Sequence, residues 1–216
     1  TESATQTASQ VNSSSQAGAL EGVSESASQP ESAGETAVTI TDSTGAQITL
    51  DTRAPRVVAA YSSFAESWLL AGGELCGVTQ DALEERDLGL PEDTAVVGTV
   101  KEPNAEEIIA LEPDLVILAQ DIAAQTEVKD VLENAGLACA LFQVDTFEDY
   151  AFMMEQFTAI TGREDLYQQN VTQVGEQIGD VQEKASLSST RPSVLLIRAF
   201  SSGIKAKTDD ELAGAI

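Results

Sequence analysis

At 216 residues, with 36 acidic against 11 basic side chains, a formal charge of −25 and no histidine, the chain lacks two common kinds of chemistry. The clustered Lys and Arg that grip phosphate are missing, which argues against a nucleic-acid partner; so are the usual general base, triad base and zinc ligand. The 42% apolar fraction still allows a real core, in one large or two small domains.

Residues 1–36 are mostly Ser, Thr, Ala, Gln and Gly, with Glu as their only charge. Such a segment cannot bury enough apolar surface to offset its ordering entropy and reads as a disordered tether. Residues 37–50 read as a β-hairpin: Val38 and Ile40 alternate with threonines, Asp42-Ser43-Thr44-Gly45 turns the chain, and Ile48 and Leu50 follow. After Pro55, Val57 to Ala60 is a strand and Tyr61-Ser62-Ser63 a turn. The next helix turns Phe64, Trp68 and Leu69 inward and ends at Gly72-Gly73, with Trp68 read as packing. Cys76 to Thr79 is a short strand, 80–94 an acidic loop, and Val96-Val97-Gly98 returns to the sheet.

PNAEEIIALEPDLVIL, residues 103–118, reads as one helix-to-strand step. Asn104 is an N-cap, Glu106 and Glu107 fill the first turn, Ile108, Ile109 and Leu111 make an apolar face, and Pro113 stops the helix. Leu115 to Leu118 is the unbroken apolar run of a strand covered on both faces. Ile122–Asn134 is an amphipathic helix capped by Gly136, and 137–144 is the next strand. Strand and helix alternate from 57 to 144, so the expected fold class is α/β, a three-layer Rossmann-like lobe with a mainly parallel sheet.

Thr146 with Asp149 forms a capping box that opens a helix carrying Tyr150, Met153, Met154, Phe157 and Ile160, closed by Gly162. The methionine pair fills core. From Glu164 to Leu187 runs a long helix with Leu166, Val174, Ile178 and Val181 on one side, about 35 Å at 1.5 Å per residue. Gly175 and Gly179 weaken it or permit close packing. Asn170-Val171-Thr172 fits a glycosylation sequon by accident. After Pro192 a strand, Val194 to Ile197, leads to Arg198-Ala199-Phe200, and the chain reaches Ile216 in the start of another helix. Cys76 and Cys139 read as buried small hydrophobes, a disulfide or reactive thiol being the alternatives. No segment is long and apolar enough to span a membrane, and Thr1 fits the start of a mature chain whose export signal has been removed. With no GxGxxG after a strand, no GxSxG elbow and no P-loop, an enzyme is not expected.

The order of Asp42-Ser43-Thr44-Gly45, Pro55-Arg56-Val57-Val58, Glu66, Gly77-Val78, Val97-Gly98, Asn104-Ala105-Glu106-Glu107-Ile108 and Pro113-Asp114-Leu115-Val116 resembles the solute-binding proteins of bacterial ABC importers for ferric siderophores, haem and cobalamin, over residues 37–216. The resemblance implies two α/β lobes joined by a rigid helix, with ligand held between them. On that scheme 37–163 is the first lobe, 164–190 the inter-lobe helix and 191–216 the start of an incomplete second lobe, which lacks about another hundred residues on usual domain sizes. A chain with only part of the cleft is expected to bind ligand weakly or not at all. The resemblance also implies an extracytoplasmic monomer, in the periplasm or as a Gram-positive lipoprotein, with 1–36 as the tether to a lipid anchor outside this chain.

In the resembling family an exposed Glu on each lobe pairs with permease arginines, a role that falls here on Glu106 with Glu107 beside it. The cleft should be lined by turns at the carboxyl ends of strands. These are Tyr61, Ser62 and Ser63, then Thr99 and Lys101, then Gln120 and Asp121, with Arg198 and Phe200 from the second lobe. Tyr61 and Phe200 suit a flat or aromatic ligand face and Arg198 an anionic one. No catalytic residue, resident metal or cofactor is expected. The missing histidines disfavour free Zn²⁺ or Mn²⁺ and His-ligated haem as ligand; haem held by methionine or tyrosine stays open, and ferric siderophore comes first with a corrinoid second. The alternatives are a non-transport surface or sensor domain, or a fragment that binds nothing.

Overall fold

The structure is a computed structural model that describes residues 37–190, 195–200 and 203–207, without the side chains of Phe200 and Lys207. The 1–36 tether, Pro192, Val194 and the helix start expected near Ile216 lie outside the described residues.

Five strands form one all-parallel sheet: β3 (Val57–Ala59), β4 (Leu75–Val78), β5 (Ala95–Val96), β8 (Leu115–Ala119) and β9 (Cys139–Phe142), in the order β5-β4-β3-β8-β9. Side chains alternate across a strand, so the apolar run of β8 supplies both faces. Leu115, Ile117 and Ala119 pack with Phe64 and Trp68 of α1 (Ser62–Leu70) and with Met153, Met154, Phe157 and Ile160 of α5 (Phe147–Thr161). Val116 and Leu118 pack on the other side with Ile108 of α3 (Ala105–Ala110) and with Val128 and Leu132 of α4 (Ala123–Asn134). The expected α/β layering is present. Edge-to-face contacts of Phe157 with Trp68 and with Phe142, at 5.4 and 5.2 Å between centroids, lock one core face.

The helix ends follow the residues that cap them. Asn104 accepts from the backbone N–H groups of Glu106 and Glu107, Thr146 and Asp149 complete a reciprocal box, and Gly162 closes α5 in the left-handed region. The 137–144 strand is shorter than its apolar run. Leu137 donates its N–H to Leu132 beside left-handed Gly136, so it belongs to the cap of α4 and pairing begins at Cys139. The 80–94 loop contains one helical turn, α2 (Asp81–Glu84). Both thiols are free, and burial pushes Cys76 up and Cys139 up to about 12, which keeps them protonated.

The hairpin of β1 (Val38–Thr41) and β2 (Gln47–Leu50) docks on the outer edge of β9. Asp42, 1% exposed, takes the N–H and hydroxyl of Thr44 and the N–H of Ala46 on Oδ1, and the N–H of Leu141 on Oδ2. Ser43 donates its N–H to the Leu141 carbonyl and accepts from the Gln143 N–H.

Residues 164–186 form the long helix, as α6 (Glu164–Tyr167), a π turn (Gln168–Thr172) and α7 (Gln173–Ser186). At the π turn the Asn170 side chain donates to the Leu70 carbonyl, so the sequon amide is engaged, and Val171 is buried. A Cβ on Gly175 would stand 3.1 Å from the Phe147 ring, whereas one on Gly179 meets nothing within 4 Å; only the first glycine serves close packing. No residue of α7 is buried, and Val174, Ile178 and Val181 are exposed. The strand after Pro192 is β10 (Leu196–Phe200), paired antiparallel with β11 (Gly203–Lys207) in a separate ribbon.

A short ribbon, β6 (Gly98–Thr99) with β7 (Glu102–Pro103), links β5 to α3. Gly98 has φ +95°, and a Cβ there would stand 2.5 Å from the Glu102 carbonyl oxygen and 2.9 Å from the Asn104 nitrogen. Gly98→Ala is therefore expected to destabilise the protein by about 2–3 kcal/mol. Urea unfolding measures this; an unchanged midpoint would show that the ribbon yields without cost.

Candidate functional site

Because every sheet strand runs the same way, their carboxyl ends share one edge, the usual ligand side of such sheets. The structure places Tyr61, Ser62 and Ser63 there after β3, Thr99 and Lys101 in the β6–β7 ribbon, and Gln120 and Asp121 after β8. Tyr61 is half-buried with its ring edge-to-face on Phe64 at 5.3 Å. Ser62 is 1% exposed and offers little surface to a ligand, while Thr99, Lys101 and Asp121 are exposed.

Arg198 is not on this edge of the sheet. It lies in the β10–β11 ribbon opposite Lys205, exposed, and Phe200 stands opposite Gly203. Glu106 and Glu107 sit at the start of α3, which leaves the carboxyl edge through the β6–β7 ribbon, and both are exposed.

Four further residues shape the edge. Arg86 forms an ion pair with Glu66 of α1 through Nη1 and donates to the Ser63 hydroxyl through Nη2 at 3.0 Å. Asp81 Oδ2 accepts the Ser62 N–H at 2.8 Å, so the α1 N-terminus is already met by a carboxylate. Asp81 Oδ1 and the hydroxyl of fully buried Thr79 have no hydrogen-bond partner among the described residues. Gln125, also fully buried, bonds the ends of three segments at once. Sequence reasoning passed over all of these. The one signal for Arg86 was its standing as the only basic residue between Arg56 and Lys101, inside an acidic run. For Gln125 it was a polar residue in the buried stripe with Val128 and Leu132.

The cavities are shallow. One of about 430 Å³ borders the carboxyl edge, where Gln120 and Gln143 meet the hairpin turn at Asp42 and Ser43. Another of about 400 Å³ lies at the opposite edge, against Pro55, Leu75 and Cys76. Among the described residues no group of three or more acidic or thiol side chains is placed to hold a metal ion, and no helix is long and apolar enough to cross a membrane.

Solved structures share the fold at low identity. The catecholate-siderophore binding protein VctP of Vibrio cholerae is 17% identical, with a TM-score of 0.66 over 81% of this chain and 62% of that one. The petrobactin-binding protein YclQ of Bacillus subtilis is 21% identical, with a TM-score of 0.69 over 82% and 62%. PiuA of Streptococcus pneumoniae, an iron-uptake ABC transporter substrate-binding protein, is 21% identical, with a TM-score of 0.66 over 80% and 61%. The match thus spans about three fifths of those proteins. No curated protein sequence matches the chain. The profile of the periplasmic binding protein family matches residues 57–216, which takes in the whole parallel sheet and all but the first hairpin of the lobe, and the chain belongs to that family.

Proposed function

We propose that the chain is part of an extracytoplasmic solute-binding protein that captures a ferric siderophore for an ABC importer. The observation that carries this reading is the common edge on which the turns after β3, β5 and β8 meet two cations, Arg86 and Lys101. In a chain of charge −25, an anionic chelate finds cations at few places; at this edge Lys101 is exposed, and Arg86 is held beside Ser63 by its ion pair with Glu66. Tyr61, Ser63, Thr99, Lys101, Gln120 and Asp121 would line this wall, with buried Ser62 behind it. Arg198 and Phe200 would belong to a facing lobe that begins after the 164–190 helix. The exposed apolar side chains of α7 and of the β10–β11 ribbon support that division into lobes. Glu106 and Glu107 would dock on the permease, and 1–36 would tether the protein to the outer face of the membrane through a lipid anchor. The named siderophore binders among the similar structures support iron chelates over corrinoids.

Titration with a ferric tris-catecholate, a ferric trihydroxamate and cobalamin, read by tyrosine and tryptophan emission, tests the assignment. Saturable quenching by a ferric chelate is expected, weakened about tenfold in Arg86→Ala or Lys101→Ala by loss of a charge-assisted hydrogen bond. A response to cobalamin alone would move the ligand to the corrinoids, and no response to any of the three would sink the reading.

A further inference from the structure

We propose that Gln125 is the positioning residue of the ligand face, a single amide that sets three of its loops against one another. The proposal rests on the ligand-face reading above. Gln125 lies in the first turn of α4 with none of its surface exposed. Its Oε1 accepts the Ala119 N–H at 2.7 Å, and its Nε2 donates to the carbonyls of Ala60 at 2.7 Å and Val100 at 3.1 Å.

Each partner abuts candidate contacts. Ala60 precedes Tyr61, Val100 stands between Thr99 and Lys101, and Ala119 precedes Gln120. Strand pairing already relates the ends of β3 and β8, since Ala60 donates its N–H to Ile117. Val100, by contrast, lies in the turn between β6 and β7, outside the five-stranded sheet. Among the described residues, Gln125 is the side chain that ties this turn to the β3 and β8 ends, and so sets where Lys101 stands relative to Tyr61 and Gln120.

The chemistry requires an amide. Two donors and one acceptor must diverge from one planar group, and glutamine is the neutral side chain of that reach which supplies them. An ionised glutamate would keep the bond to Ala119 but turn a charge on two carbonyl oxygens. Methionine would fill the space and leave three backbone groups without their partner. A residue that merely filled the core would act on global stability; a positioning residue acts on three loops and on the ligand they hold.

The test compares Gln125→Met with Val128→Ala, a core truncation on the same helix, at matched loss of Tm. Gln125→Asn, with the same amide on a shorter arm, serves as the milder variant should methionine prevent folding. Hydrogen exchange is expected to speed about tenfold or more in segments 60–63, 99–102 and 119–122 of the Gln125 variants, with the β1–β2 hairpin and α5 unchanged. Affinity for a ferric tris-catecholate is expected to fall about tenfold below that of Val128→Ala. Equal affinities, or exchange that rises evenly through the chain, would overturn the proposal. If the unaltered protein binds no ferric chelate, the functional reading fails by itself, and the exchange pattern still decides whether Gln125 holds the three loops.

Discussion

Glu106→Lys is expected to abolish uptake of the iron chelate while leaving its capture unchanged. The Asn104 side chain receives the N–H groups of Glu106 and Glu107, so the first turn of α3 is fixed by its own cap. The Glu106 carboxylate makes no ion pair or side-chain hydrogen bond among the described residues, which leaves both oxygens free for a partner's guanidinium. Reversing the charge replaces a two-point grip with repulsion, and truncating one partner of such a pair costs about 2–5 kcal/mol, so uptake should fall by about 30-fold or more. The helix itself loses only the favourable position of an acid near its N-terminus, about 0.3–1 kcal/mol. Cells expressing the variant would be assayed for iron uptake and the purified protein for chelate quenching. Uptake within about twofold of the unaltered protein would remove Glu106 from the docking role.

Asp42→Ala is expected to be the most damaging single truncation outside the apolar core. Four hydrogen bonds end on that one carboxylate, three from its own turn (the Thr44 N–H and hydroxyl and the Ala46 N–H) and one from the Leu141 N–H. Alanine leaves those donors facing an apolar methyl, with an expected loss of about 3–5 kcal/mol. Asparagine should recover only part of it, because one of its two ends is a donor and the site offers only donors. Urea unfolding gives the measure; a loss below about 1 kcal/mol would mean that the hairpin contributes little beyond its own turn.

How much of this was legible depended on how far apart the interacting residues lie. Periodicity and caps are local, so PNAEEIIALEPDLVIL announced both the helix held by Asn104 and the doubly covered strand, and Thr146 with Asp149 announced α5. Strand length was less legible, since Leu137 looks like strand yet serves the cap of α4. The contacts that shape the candidate site are long-range: Gln125 to Ala60 spans 65 residues, Arg86 to Ser63 spans 23, and Asp42 to Leu141 spans 99. Nothing in the residue types alone tells a buried glutamine that bridges loops from one on a solvated face. The π turn was equally hidden: its Asn170 side chain donates to the Leu70 carbonyl, 100 residues away in the chain.

The hairpin on β9 also bears on self-association. An uncovered outer strand of a parallel sheet offers a row of N–H and carbonyl groups to any other chain with a strand to add. At β9 the groups of Leu141 and the N–H of Gln143 are already taken by Asp42 and Ser43, while at the far end β5 is only two residues long. One border of the sheet is thus sealed by a folded-back segment of the same chain and the other is too short to recruit. Release of that segment would uncover the Leu141 groups and the Gln143 N–H to a strand from another chain.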